Sequence, residues 1–326
     1  MRSLVLATLL AAAPLSLLAQ PGRTVPVPRA VAEDIAARAR AEGADAQDER
    51  RDAVQVLRFT EARERDLNGD GRPELFVTGT GPLCGANNCT FWVYGREGGG
   101  RVRRLLETGG VRLDPERTAA RGFRDLRGVA HMSAAQSFHT VYRYDGRAYA
   151  EVATEIHGRD GLLARIAYPL AAPGQPRHVT LAALPVGRGS ALRLSAAYTG
   201  CVPGRATPGR LCGQLDLGLA GTGAAGRALP APGPGCFTLE VAPLDDSPRH
   251  SSRVACEAAS VSRRTGGRAL ALRLTPEAWE AVAKAFEVRL VAGGNTLRIE
   301  DPARQGLAVF VDRVYELNGM ELYPQD

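Results

Sequence analysis

The sequence predicts an α+β fold, predominantly antiparallel β, in two domains that each carry one amphipathic helix. Three observations predict it. Short apolar runs recur along the chain, separated by turns drawn from 37 Gly and 21 Pro, which is the pattern of antiparallel strands. Dipeptides suited to tight hairpins, Asp145-Gly146 foremost, sit between such runs. The stretches 28–42 and 275–286 repeat their apolar residues at helical spacing. A hydrophobic share of 44% and a charged share of 23% belong to a globular chain. Its 326 residues suffice for two ordinary domains.

Taken in order, the chain opens on Arg2, an apolar run Leu4–Ala13 with Leu15, Leu17 and Leu18, and the small Ala19. This is the three-part pattern of a secretory signal peptide over residues 1–19. An uncleaved anchor is the alternative, but Pro14 interrupts the run and leaves it short for a membrane span. No cysteine follows it to carry a lipid. The expectation is a periplasmic or secreted protein with no transmembrane segment after cleavage. Loss of Arg2 lowers the formal charge from +6 to +5.

The first domain is expected over residues 24–157. Pro21, Pro26 and Pro28 mark an extended lead-in. Val31, Ile35 and Ala39 then recur every four residues, predicting a helix from Pro28 to Glu42 that Gly43 ends. Val54–Phe59, Glu74–Thr78, Thr90–Tyr94 and Val102–Leu106 read as strands, the last two joined across Gly98-Gly99-Gly100. Val141–Tyr144 and Arg147–Val152 flank Asp145-Gly146 as a hairpin.

The second domain is expected over residues 165–326. His178–Leu184, Ala191–Tyr198, Leu215–Leu219, Phe237–Val241 and Ala269–Leu274 read as strands, with Gly221–Gly235 as a long loop. Thr275-Pro276 starts a helix, Thr as cap and Pro as first residue, with Trp279, Val282, Ala283 and Phe286 on its apolar face. Val288–Val291 and Leu297–Ile299 form a hairpin across Gly293-Gly294-Asn295. Leu307–Val314 fits either a strand or a helix.

Six cysteines lie beyond the signal segment, and in an oxidising compartment they imply three disulfides among 15 possible connectivities. Proximity favours Cys84–Cys89, Cys201–Cys212 and Cys236–Cys256. Cys84-x₄-Cys89 has no second half to complete a zinc site.

One loop carries recognisable chemistry. In Asp66-Leu67-Asn68-Gly69-Asp70-Gly71-Arg72-Pro73-Glu74, side-chain oxygens fall at positions one, three, five and nine, and a glycine at position six permits a sharp turn. Calcium takes several oxygen ligands at about 2.3–2.6 Å, and this spacing supplies Asp66, Asn68, Asp70 and Glu74, with the carbonyl of Arg72 at position seven. The competing reading is an Asx-type turn held by its own backbone, with Arg65 or Arg72 balancing the charge. Position twelve is Val77 instead of the bidentate glutamate of a helix-loop-helix calcium hand.

The loop resembles the D-x-N-G-D-G-x-x-[DE]-L-x-V turn of FG-GAP and VCBS-type repeats, a resemblance that implies structural calcium. One copy is present, so no propeller is implied. Residues 54–149 further resemble a secreted bacterial domain of unknown function. There a D-x-N-G-D-G strand is followed by a C-G-x-x-x-C loop, a W-V-x strand and a Y-x-Y-D-G-x-x-Y hairpin, matched by Cys84–Cys89, Trp92-Val93 and Tyr142–Tyr149. The resemblance implies location and fold, and no activity.

Catalytic signatures are missing from the sequence. It holds no G-x-S-x-G, S-x-x-K or G-x-x-x-x-G-K. His131, His139, His157, His178 and His250 are scattered, none paired at i, i+4. Asp245-Asp246 reads as a solvated turn. Nearly all basic residues are arginine, in runs too short for a nucleic-acid stripe. Trp92, Tyr94, Tyr142 and Tyr144 are expected to be half core and half surface. The leading expectation is a binding or structural protein with a structural calcium loop, acting on a protein or cell-envelope partner. The alternatives are a cell-envelope hydrolase, or an inhibitor or immunity protein docking through a loop such as Gly221–Gly235.

Overall fold

The computed structural model describes residues 22–43, 48–85, 88–159, 161–171, 175–187, 190–201, 211–243, 248–259 and 268–320. The expected signal segment 1–19 and the Asp245-Asp246 turn lie outside the described residues. The first half of the chain runs β1 (Arg23–Val25), α1 (Arg29–Ala41), α2 (Ala53–Arg58), β2 (Thr60–Arg65), β3 (Glu74–Gly79), β4 (Cys84–Gly85), β5 (Asn88–Arg96) and β6 (Val102–Gly110). Next come β7 (Arg112–Ala120), β8 (Phe123–Ser133), β9 (Gln136–Tyr144), β10 (Tyr149–Gly158) and β11 (Gly161–Ala167). Then follow β12 (His178–Pro185), β13 (Leu192–Gly200), β14 (Gly213–Gly221), α3 (Gly223–Arg227), β15 (Gly233–Pro243) and β16 (His250–Ala259). The chain continues through β17 (Arg268–Arg273), α4 (Pro276–Ala283), β18 (Ala285–Ala292), β19 (Asn295–Ile299) and α5 (Ala303–Leu317).

Antiparallel β structure predominates. Strands β1–β6 form one sheet in the order β1-β2-β3-β5-β4, with β6 on β5. Strands β7–β19 form a second, ordered β19-β18-β15-β16-β17-β14-β13-β12-β11-β10-β9-β8-β7. The chain passes between sheets at Gly110-Val111, where any Cβ on Gly110 would meet the Val129 carbonyl oxygen at 2.4 Å. Only glycine tolerates that approach.

Three apolar clusters hold these layers. Helices α1 and α2 cover one face of the first sheet, placing Val31, Ile35 and Val56 against Leu75, Val77 and Trp92. The opposite face of that sheet packs Phe76, Phe91 and Val93 against Leu126, Tyr142 and Tyr149 of the second. A third cluster, beginning at Ile156, joins strands β10–β19 to α4 and α5. Backbone pairing runs on through the β10–β11 hairpin, across the expected boundary between residues 157 and 165.

Coverage on both faces explains why aromatic alternation misled. Phe91, Trp92, Val93 and Tyr94 are all buried in β5, whereas the buried Tyr142 and Tyr144 share one face of β9. Val54–Phe59, expected as a strand, is mostly helix α2. The Asp52 side chain caps it by accepting from the Val54 N–H at 2.9 Å, and Val56 is its one buried residue while Val54 is exposed. The strand follows as β2. Gly221–Gly235, expected as a loop, contains α3 and the start of β15. Leu307–Val314 is helical within α5, whose buried Gly306, Leu307, Phe310, Val311 and Val314 keep a three- to four-residue spacing. The second half therefore holds α3, α4 and α5 where one helix was expected.

Local signals fared better at caps and hairpins. Thr275 accepts from the Ala278 N–H at 3.2 Å to start α4, and Gly293-Gly294, both at positive φ, join β18 to β19. The Asp145-Gly146 hairpin is present with a four-residue turn, closed by Asp145 N–H to the Ala148 carbonyl at 2.9 Å. All three expected cysteine pairs stand at disulfide distance, with Cα separations of 3.8, 5.5 and 5.9 Å. Among the described residues no helix is long and apolar enough to cross a membrane.

Candidate functional site

The loop from Asp66 to Glu74 connects β2 to β3, which are neighbours in the first sheet. Its turns need left-handed backbone at Gly69 (φ 74°) and Gly71 (φ 77°), a region that L side chains with a Cβ rarely enter. Asp66 organises the winding. One of its carboxylate oxygens accepts from the Asn68 and Gly69 N–H groups at 3.2 and 2.7 Å, the other from Gly71 N–H at 3.0 Å. The Asn68 side-chain carbonyl accepts from Asp70 N–H at 3.0 Å, and Asp70 accepts from Arg72 N–H at 2.7 Å and from the Asn68 amide at 3.1 Å.

Leu67 points the other way. It is 1% exposed and joins the core between the two sheets, while its carbonyl accepts from Arg124 N–H of β8 at 2.9 Å. The polar loop is thereby pegged to the second sheet by its one apolar residue. Beneath it lies Glu74, 4% exposed, accepting from Leu67 N–H at 2.8 Å. Burial pushes the Glu74 carboxyl up to about 6, and the Asp66 and Asp70 charges add to the rise, against the lowering effect of the Leu67 N–H.

The five expected ligands thus share one loop, four by side chain and Arg72 by its carbonyl. Asp66, Asn68 and Asp70 spend hydrogen-bond capacity on the turn itself, as the Asx reading requires. The charge balance of that reading is missing. Among the described residues none of Asp66, Asp70 and Glu74 forms an ion pair, while Arg65 is engaged by Asp114 at 3.3 Å. Nor do three His, Cys, Asp or Glu side chains anywhere among the described residues stand together as a preformed metal cage. An ion held here would therefore draw on the remaining lone pairs of the carboxylates, since an ionised carboxylate offers about four acceptor sites.

Strand register gathers two of the scattered histidines. His139 pairs with Glu155, and Ser137 with His157, across β9 and β10. The two imidazoles stack at 3.9 Å between centroids. His157 Nε2 lies 3.2 Å from Glu155, which Arg127 also binds at 2.8 Å, and Ser137 Oγ lies 3.1 Å from His139 Nε2. Burial, then His157 and Arg127, hold His139 below its ordinary value. Burial raises Glu155, but hydrogen bonds from His157 and Arg127 outweigh it and leave the carboxyl low. A hydroxyl beside a base is the start of a nucleophilic site, yet the carboxylate here orients His157, not the base next to Ser137. Period-two spacing, with Ser137-x-His139 on one strand and Glu155-x-His157 on the next, was the sequence signal for this cluster. Only the register shows that the two pairs face each other.

Comparison with protein-family models, with curated proteins and with solved structures finds no match for this chain.

Proposed function

We propose that this is a periplasmic or secreted binding or structural protein in which the Asp66–Glu74 loop takes up calcium as a structural ion. One observation carries the reading: three carboxylates, one of them buried, share a nine-residue loop without an arginine or lysine in ion-pair contact among the described residues. A buried carboxylate beside two like charges is costly for a folded protein unless a cation offsets it. Calcium suits the all-oxygen set, and the resemblance to the D-x-N-G-D-G turn of FG-GAP and VCBS-type repeats points the same way. The loop's place, with Leu67 in the core between sheets, suits an ion that stiffens the joint. Three cysteine pairs at disulfide distance support an oxidising compartment.

Lacking the bidentate ligand of the calcium hand, the loop is expected to bind with a Kd on the order of 10⁻⁴–10⁻³ M, the range of extracellular modules. Titration calorimetry of calcium into the oxidised protein, with magnesium as control, tests this. Saturable uptake of calcium supports the reading, and no heat up to several millimolar removes it.

A further inference from the structure

A cleft of about 370 Å³ lies at the seam of the two sheets, between β2–β3 and the start of β7, within the size range of small-molecule sites. Phe76 and Phe91 make its floor, and Val111 and Leu113 of the crossing segment make an apolar wall. Three arginines stand round it, Arg63, Arg65 and Arg112, against the acids Glu61 and Asp114.

Two of those arginines are already employed. Arg65 lies 3.3 Å and Arg112 2.9 Å from Asp114, and the Arg65 guanidinium sits 5.1 Å over the Phe76 ring. Arg63 differs. It is exposed, lies directly across the ladder from Phe76, and among the described residues has no hydrogen-bond or ion-pair partner. Its diagonal neighbour is Thr78, whose half-buried hydroxyl likewise finds no acceptor or donor among the described residues. A free guanidinium and a free hydroxyl, side by side above two phenyl rings, match one planar anion on an apolar body. Glu61, directly across the ladder from Thr78, opposes a multiply charged ligand, so specificity runs against phosphate and toward a single negative charge.

We propose that this cleft binds a small organic carboxylate with an apolar body, the carboxylate meeting Arg63 and Thr78 and the body lying on Phe76 and Phe91. This inference is independent of the calcium reading, and its test is run in chelator so that failure of one leaves the other standing. Phenylacetate and octanoate are titrated into the oxidised protein by calorimetry, beside acetate, inorganic phosphate and the neutral phenethyl alcohol. At least one of the two acids is expected to saturate with a Kd on the order of 10⁻⁴ M, a typical efficiency for about ten heavy atoms. Acetate, phosphate and the alcohol are each expected at least about tenfold weaker, since each lacks either the apolar body or the single charge. Arg63→Gln, at an exposed position, is expected to keep the wild-type melting temperature and lose at least about tenfold in affinity. Absence of saturable binding by both acids up to about 10 mM overturns the proposal. So does equal binding of acetate or phosphate, or an Arg63→Gln protein that melts and binds like wild type.

Discussion

Replacing Glu74 by Gln isolates the electrostatics of the loop. The carboxyl rises from its ordinary 4.5 to about 6 in the folded protein, a difference worth about 2 kcal/mol. Because the folded pKa lies above the unfolded one, the protonated carboxyl stabilises the fold fully below about pH 4.5, and this contribution is lost as pH rises through about 6. Near pH 7.5 and without calcium, the ionised Glu74 therefore costs the native state up to about 2 kcal/mol. The glutamine removes that charge and keeps an oxygen for the Leu67 N–H, but it introduces a buried amide donor at a cost of about 1 kcal/mol. Glu74→Gln is expected to be about 1 kcal/mol more stable than wild type at pH 7.5 in chelator, and equal or less stable at pH 5. Calcium at about 5 mM should stabilise wild type by about 1–2 kcal/mol for a Kd of 10⁻⁴–10⁻³ M, more at pH 7.5 than at pH 5, and the variant by less. Urea denaturation at both pH values, with chelator and with calcium, reads all of these. A variant less stable than wild type at pH 7.5 in chelator, with neither protein responding to calcium, refutes the reasoning.

The disulfides should rank by the loops they close. Sequence separations of 5, 11 and 20 give losses of about 2 kcal/mol for the Cys84–Cys89 pair and about 3 kcal/mol for each of the others when both cysteines become serine, read by denaturation. Gly306→Val should cost about 1–3 kcal/mol, because even a Cβ there meets the Leu184 side chain at 2.9 Å where α5 packs on the sheet. Wild-type stability without that loss would mean α5 does not seat as described. His139 is held below its ordinary value, so its contribution is present above pH 6.5 and falls away as pH drops through 6.5 toward the folded pKa. His139→Asn is expected to flatten that part of the melting-temperature profile, a slope opposite in sign to that of Glu74, and an unchanged profile would show that the stack carries no such linkage.

Local chemistry in the sequence foretold local structure. Thr275-Pro276, Gly293-Gly294 and the proximity of the cysteines each act over a few residues, and each appears where expected. The loop from Asp66 to Glu74 was legible for the same reason, since its turn depends on glycines and short polar side chains. Burial was harder to read. Val54–Phe59 has the composition of a strand, yet the Asp52 cap and a single buried residue, Val56, make it helical. Trp92 and Tyr94 alternate with Phe91 and Val93, and only a sheet covered on both faces buries all four. The burial of Glu74, the facing of His139 to His157 and the cleft beneath Val111 all depend on how distant strands align, which no local pattern specifies.

Export of the chain into an oxidising compartment is open to one direct measurement. Intact and peptide-level mass spectrometry, without reduction, on protein recovered from the periplasm or medium of its own cell should find a chain beginning near residue 20, with Cys84 linked to Cys89, Cys201 to Cys212 and Cys236 to Cys256. A full-length chain confined to the cytosol with its six thiols free would contradict it.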